Sequence, residues 1–145
     1  FAEMTYQMKI KGKTLVDFLY EIYQQFGVFR ERQFSQTFED SKAGFDKIHA
    51  LIMKFRTRPP KMIGGKKVIS TLDLLQKNDL HLPPADVLIF RLEDDSKIII
   101  RPSGTEPKVK AYLMTHASEP TVEKGLDLCN QKLDLFTESI KQEMA

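Results

Sequence analysis

Tryptophan is absent from this chain of 145 residues, and cysteine occurs only once, as Cys129. A single thiol cannot close an intrachain disulfide, so the fold has to be held by an apolar core, and a reducing, cytoplasmic setting is expected. Long apolar runs are missing too. Nothing approaches the roughly 18 to 20 residues that a bilayer-spanning helix needs, so no membrane partner is expected. Excess charge is likewise small: 22 Lys and Arg against 20 Asp and Glu give a net +2. That balance exerts no strong whole-molecule pull on nucleic acid, and any anion binding must come from a local cluster. His49 has no His, Cys or carboxylate at metal spacing, so it reads as a surface residue and no metal site is expected.

What is present suits an ordinary globular domain, with 41% apolar and 29% charged residues. The chain opens on Phe1 within a helical pattern, which leads us to expect a piece of a longer protein. Residues 1–10 read as the tail of a helix, interrupted by Gly12 and Lys13. Thr14 then caps a second helix, with Asp17 placed for a capping box. Leu15, Phe18, Leu19, Ile22 and Phe26 follow the spacing of a buried face, and Gly27 ends it.

From Val28 to Phe38 the residues Arg30, Arg32, Phe34, Gln36 and Phe38 share one parity, the mark of an extended strand whose arginines line a solvated edge. Asp40 and Ser41 cap a helix carrying Phe45, Ile48, Leu51, Ile52 and Phe55, which Pro59 and Pro60 terminate. Gly64 and Gly65 turn the chain into a short strand, 67–72. A loop with Asn78, Pro83 and Pro84 leads to a strand over 87–92, which Asp94 and Asp95 turn into a strand over 97–101. Asp95 tolerates left-handed angles better than most residues. A further strand, 108–113, puts Lys108, Lys110 and Tyr112 on one face and Val109, Ala111 and Leu113 on the other. The last helix, about 121–144, carries Val122, Leu126, Cys129, Leu133, Phe136 and Ile140 on one stripe, which makes Cys129 a buried, inert thiol. Helix, strand, helix, several strands and helix favour an α+β fold, an antiparallel sheet with helices packed on one face.

The stretch with the most chemistry is Ile98-Ile99-Ile100-Arg101-Pro102-Ser103-Gly104-Thr105-Glu106-Pro107-Lys108-Val109-Lys110. Arg101 offers a fork of donors matched to anionic oxygens, Ser103 and Thr105 add hydroxyls, and Gly104 leaves backbone N–H groups free to turn toward an anion. Pro102 and Pro107 stiffen both ends, so less order is lost on binding. The same residues also fit a polar hairpin turn whose arginine pairs with a neighbouring carboxylate, and spacing does not choose between the two.

The wording RPSGTEPKVKAY closely resembles the C-terminal phosphate-binding signature of the α-D-phosphohexomutases, the phosphoglucomutase/phosphomannomutase superfamily. FAEM, GKTLVDFLYEIYQQFGVF, RPPKMIGGKKV and LPPADVLIFRLEDDSK resemble the matching stretches of its bacterial-type members, in order. The resemblance implies the fourth domain of such an enzyme, similar in fold to the TATA-box-binding protein, over residues 28–145. Residues 1–27 would then be the end of the third domain and the hinge.

It also implies an activity: interconversion of hexose 1-phosphate and hexose 6-phosphate through a bisphosphorylated sugar. In such enzymes a phosphoserine, a magnesium ion and a sugar-reading loop sit on the three preceding domains. No T-A-S-H-N-like, D-x-D-x-D-R or E-E-S-G-like loop occurs in this sequence. No catalytic residue is therefore expected here. Magnesium and a hexose 1,6-bisphosphate activator would serve the full-length enzyme, and neither cofactor would be bound by these residues. The expected partners are a sugar phosphate substrate and the three preceding domains. Arg101, Ser103, Gly104 and Thr105 match the family's phosphate-contacting positions, and Lys110 stands where relatives carry a further cation. Glu106 is read as a loop-stabilising acceptor, because an anion beside an anion is unfavourable. The rival reading is a stand-alone module that binds a phosphorylated ligand or nucleic acid without catalysis.

Overall fold

The computed structural model describes residues 1–76 and 83–145. Along the chain come α1 (Ala2–Ile10), α2 (Leu15–Phe26), β1 (Val28–Thr37), α3 (Lys42–Thr57), β2 (Met62–Ile63), β3 (Lys66–Asp73), β4 (Leu88–Leu92), β5 (Lys97–Pro102), β6 (Lys108–Ala117) and α4 (Val122–Met144). All strand pairs are antiparallel, in the order β1-β6-β5-β4-β3-β2. The expected α+β sheet is present. Asn78, placed in a loop by the sequence, lies outside the described residues.

Period-two alternation builds one face of this sheet. Ile98, Ile100, Val109, Ala111, Leu113, Leu88, Phe90 and Leu92 are fully or almost fully buried. They face Ile48, Leu51, Ile52 and Phe55 of α3 and Leu133, Phe136, Ile140 and Met144 of α4. Each such large side chain contributes roughly 1.5–3 kcal/mol on leaving water. A smaller cluster of Val28, Ala117, Val122 and Cys129 closes the core toward α2. Cys129 is buried, as its place on the stripe predicts, and burial pushes its thiol above the ordinary value.

Local signals explain the element ends. Thr14 and Asp17 form the predicted capping box: the Asp17 N–H donates to Thr14 Oγ1 at 3.1 Å, and the Thr14 N–H donates to Asp17 Oδ2 at 2.7 Å. Ser41 caps α3 through the Gly44 N–H. There the chain passes so close to itself that a Cβ on Gly44 would lie 1.9 Å from the Glu39 carbonyl oxygen. Asp95 turns β4 into β5 at φ 60°, in the left-handed region that the sequence allowed it.

Several expectations need correction. β2 was not anticipated: Gly64 and Gly65, at φ 54° and 78°, make a two-residue hairpin that pairs Met62 and Ile63 with Lys67 and Lys66. β6 continues past Leu113 to Ala117, because β1 supplies a partner for every residue of it. Phe45 is 48% exposed, since it falls on the solvent side of α3's first turn. No residue of α2 is buried, with Leu19 at 42% and Phe26 at 62% exposure, because only the Tyr20 and Tyr23 side of that helix meets the second cluster. Arg32 lies on the edge strand as expected, but its guanidinium is also engaged, bonding Asp134 of α4 at 2.6 Å.

The turn before β5 is clasped to α4. Lys132 reaches Asp94 Oδ2 at 2.9 Å and donates to the His116 carbonyl at 3.0 Å. Beside them Ser96 and Thr115, both buried, share a hydroxyl–hydroxyl bond of 2.8 Å. Burial pushes the Asp94 carboxyl up, but the bonds from Lys132 and Ser96 outweigh it and hold it below the usual carboxylate value. A depressed carboxyl stabilises the fold fully above the ordinary value, near 3.9, and loses that contribution as pH falls through the lower folded value. Lys132→Met should therefore cost about 1–3 kcal/mol at pH 7, below the full cost of breaking a deeply buried pair because both side chains retain some water. The deficit should shrink below about pH 4, a trend that denaturant melts at several pH values would reveal; a constant deficit would contradict it. Gly44→Ala should destabilise by about 2 kcal/mol or more, since the clash is with backbone, and a wild-type melting temperature would contradict the close approach.

Candidate functional site

The loop between β5 and β6 joins two interior strands of the sheet, so both its stems are held by neighbours on either side. Its neck is closed by the Ser103 N–H, which donates to the Lys108 carbonyl at 2.8 Å, and by the Lys108 N–H, which donates to the Glu106 carbonyl at 2.7 Å. A third bond, from the Phe38 N–H to the Pro107 carbonyl at 2.8 Å, ties the loop to the chain leaving β1. Pro102 and Pro107 stand half-buried at the two ends. Backbone bonds and rings thus shape the loop without using the side chains of Arg101, Ser103 or Thr105.

Arg101 and Lys110 are cross-strand partners, and they lie on the face of the sheet opposite the core. Arg101 is exposed and makes no ion pair or side-chain hydrogen bond to a described residue. Two arginines elsewhere are engaged: Arg32 holds Asp134, and Arg56 holds Asp73 and Asp86, each at 2.7 Å or less, while Arg30, Arg58 and Arg91, like Arg101, hold no acid among the described residues. The turn therefore does not pair its arginine with a neighbouring carboxylate. Glu106, the one acid in the loop, takes the Lys108 ammonium instead, at 2.7 Å. The bond from Lys108, its charge and then that of Lys110 hold Glu106 below the usual carboxylate range. Its negative charge is answered locally, which leaves Arg101 and Lys110 as a cationic pair. The hydroxyls of Ser103 and Thr105 are likewise uncommitted among the described residues. Gly104 is exposed, outside the left-handed region, and a Cβ there would meet nothing within 4 Å, so no backbone strain or crowding demands glycine in this unliganded form.

The structure thus gathers Arg101, Ser103, Gly104, Thr105 and Lys110 at one end of the open sheet face. Sequence reasoning did not see that β1 adds to this end: Ser35 is the cross-strand partner of Lys110, and Thr37 of Lys108. Pairing of strands so far apart in sequence leaves no mark in either strand alone. Elsewhere, a groove of about 230 Å³ between α2 and α4 is lined by Tyr23, Gly27, Glu119 and Thr121 and by no lysine or arginine. It offers no cationic side chain to an anion, whereas the loop does. Among the described residues no group of three or more His, Cys, Asp and Glu is placed to hold a metal ion.

Residues 65–127 match the family model described as phosphoglucomutase/phosphomannomutase, C-terminal domain. The matched stretch is similar to the C-terminal domain of that family. All five candidate residues fall inside the matched stretch. Over 120 residues the chain is 36% identical to a probable phosphomannomutase of Haemophilus influenzae, covering 83% of this chain and 23% of that protein. It is 40% identical over 116 residues to a phosphoglucomutase of Staphylococcus aureus, covering 74% of this chain and 21% of that protein. The chain thus spans less than a quarter of the length of these relatives. Among solved structures, an open form of the exocytosis-sensitive phosphoprotein parafusin, a phosphoglucomutase from Paramecium, superimposes with a TM-score of 0.49 at 20% identity, over 90% of this chain and 22% of that one.

Proposed function

We propose that the β5–β6 loop of this chain grips the unreacting phosphate of a hexose phosphate, in an enzyme that moves a phosphoryl group between the sugar's 1 and 6 positions. The observation that carries this reading is the uncommitted Arg101 guanidinium beside Lys110, in a loop whose one carboxylate is already answered by Lys108. A dianionic phosphate supplies the acceptors that both cations lack, and Arg101 binds it as a fork while Ser103 and Thr105 add neutral donors.

Phosphoryl transfer asks a protein chiefly for position and for charge around the moving group. A grip on the distant phosphate fixes the far end of the sugar, so that the near oxygen is aligned with a nucleophile carried elsewhere. Binding energy from a group that does not react then lowers the barrier of the one that does. Because phosphate presents similar oxygens at either sugar position, one loop serves both half-reactions.

On this reading residues 1–27 end a preceding domain and form a hinge, and 28–145 are the phosphate-binding domain. The unburied α2 and the core's reliance on β1 onward support that division. Three further domains, a phosphoserine, a magnesium ion and a bisphosphorylated sugar activator belong to the whole enzyme, which works in the cytoplasm. A loop open to solvent, as here, is closed over by those domains, which keeps water from the phosphoryl group.

Arg101→Ala in the whole enzyme removes a charge-assisted pair worth on the order of 1.5–3 kcal/mol, so kcat/KM for glucose 1-phosphate should fall roughly ten- to a hundredfold. Unchanged kinetics would exclude the role. Residues 1–145 alone should show no mutase turnover in a coupled assay, and measurable turnover would place the chemistry within them.

A further inference from the structure

The open face of the sheet carries a row of three side chains at the loop end, one from each of three adjacent strands. Arg101 of β5 is partnered by Lys110 of β6, and Lys110 is partnered by Ser35 of β1. Opposed residues in an antiparallel pair point to the same side, with Cβ atoms about 4.5–5.5 Å apart. Strands lie about 4.8 Å apart, so Arg101 and Ser35 flank Lys110 at a total separation near 10 Å. The guanidinium arm is long enough to span most of that distance, so one anion can meet side chains from all three strands.

Ser35 is exposed, and its hydroxyl has no bonding partner among the described residues. No carboxylate stands in the row. Glu31, the acid on the same face of β1, is four residues along, about 13 Å at strand rise. The other face of β1 is already occupied, with Arg32 held by Asp134 and Phe34 against the core. β1 is also tied to the loop itself by the Phe38 to Pro107 bond, so the position of Ser35 relative to the loop is fixed.

We propose that Ser35 is a further phosphate contact: β1 donates its hydroxyl to the anion held by Arg101 and Lys110, so the site is a three-strand cradle rather than a loop alone. This rests on the phosphate reading above. A neutral hydroxyl completes the ring of donors around the oxygens that Lys110 does not reach, and a carboxylate at the same place would repel the ligand.

Titration of residues 1–145 with glucose 1-phosphate, followed by amide shifts in NMR, tests this. Ser35→Ala should weaken binding about two- to tenfold, as for a lost hydrogen bond. Ser35→Asp should weaken it further, and Ser35→Thr, which keeps the hydroxyl and suits a strand, should bind as the parent does. Retained amide dispersion in each variant confirms that the sheet is intact. Arg101→Ala is run in parallel. If Arg101→Ala weakens binding while Ser35→Ala and Ser35→Asp leave it unchanged, the contact is overturned and the phosphate reading stands. If Arg101→Ala has no effect, both fall.

Discussion

The ladder between β5 and β6 is the constraint from which the rest of the site follows. Ile98 and Ile100 on one strand and Val109, Ala111 and Leu113 on the other are committed to the core beneath α3 and α4. Strand alternation then leaves Arg101 and Lys110 no choice of side: a one-residue slip would bury both charges and expose the whole apolar set. The core thus aims the two cations outward together without touching either, and it does so at the strand ends where the loop begins.

Charge is distributed with the same economy. Acids that lie near cations are answered in place: Asp134 by Arg32, Asp73 and Asp86 by Arg56, Asp94 by Lys132, Glu106 by Lys108. These pairs tie α3, α4 and the turns to the sheet. A chain of net charge +2 can still present a local positive site this way, because these acids are answered in place and neither Arg101 nor Lys110 is spent on one of them.

What could be read in the sequence was whatever short-range chemistry decides. Thr14 and Asp17 announced a capped helix, Asp95 a left-handed turn, residues 108–113 an alternating strand and the α4 stripe a buried face. The phosphate signature came from the wording of the loop, which resembles that of a known family. What could not be read was whatever depends on partners distant in the chain. β2 is two residues long and exists only because β3 lies beside it. The last residues of β6 are strand because β1 pairs them. The periodic face of α2 looks like a core stripe, yet none of its residues is fully buried, and only its Tyr20 and Tyr23 side packs against a core cluster. Ser35 is one serine among several until the register sets it beside Lys110.

The resemblance to phosphoglucomutases and phosphomannomutases supplies the context in which such a cationic loop makes sense, and the uncommitted guanidinium supplies the physical reason. A crystal structure of the chain soaked or grown with glucose 1-phosphate tests the central claim most directly. The account predicts the phosphate seated against the Arg101 guanidinium, within hydrogen-bond reach of Ser103 or Thr105 and of Lys110. A sugar phosphate bound elsewhere, with Arg101 still turned to solvent, would contradict it.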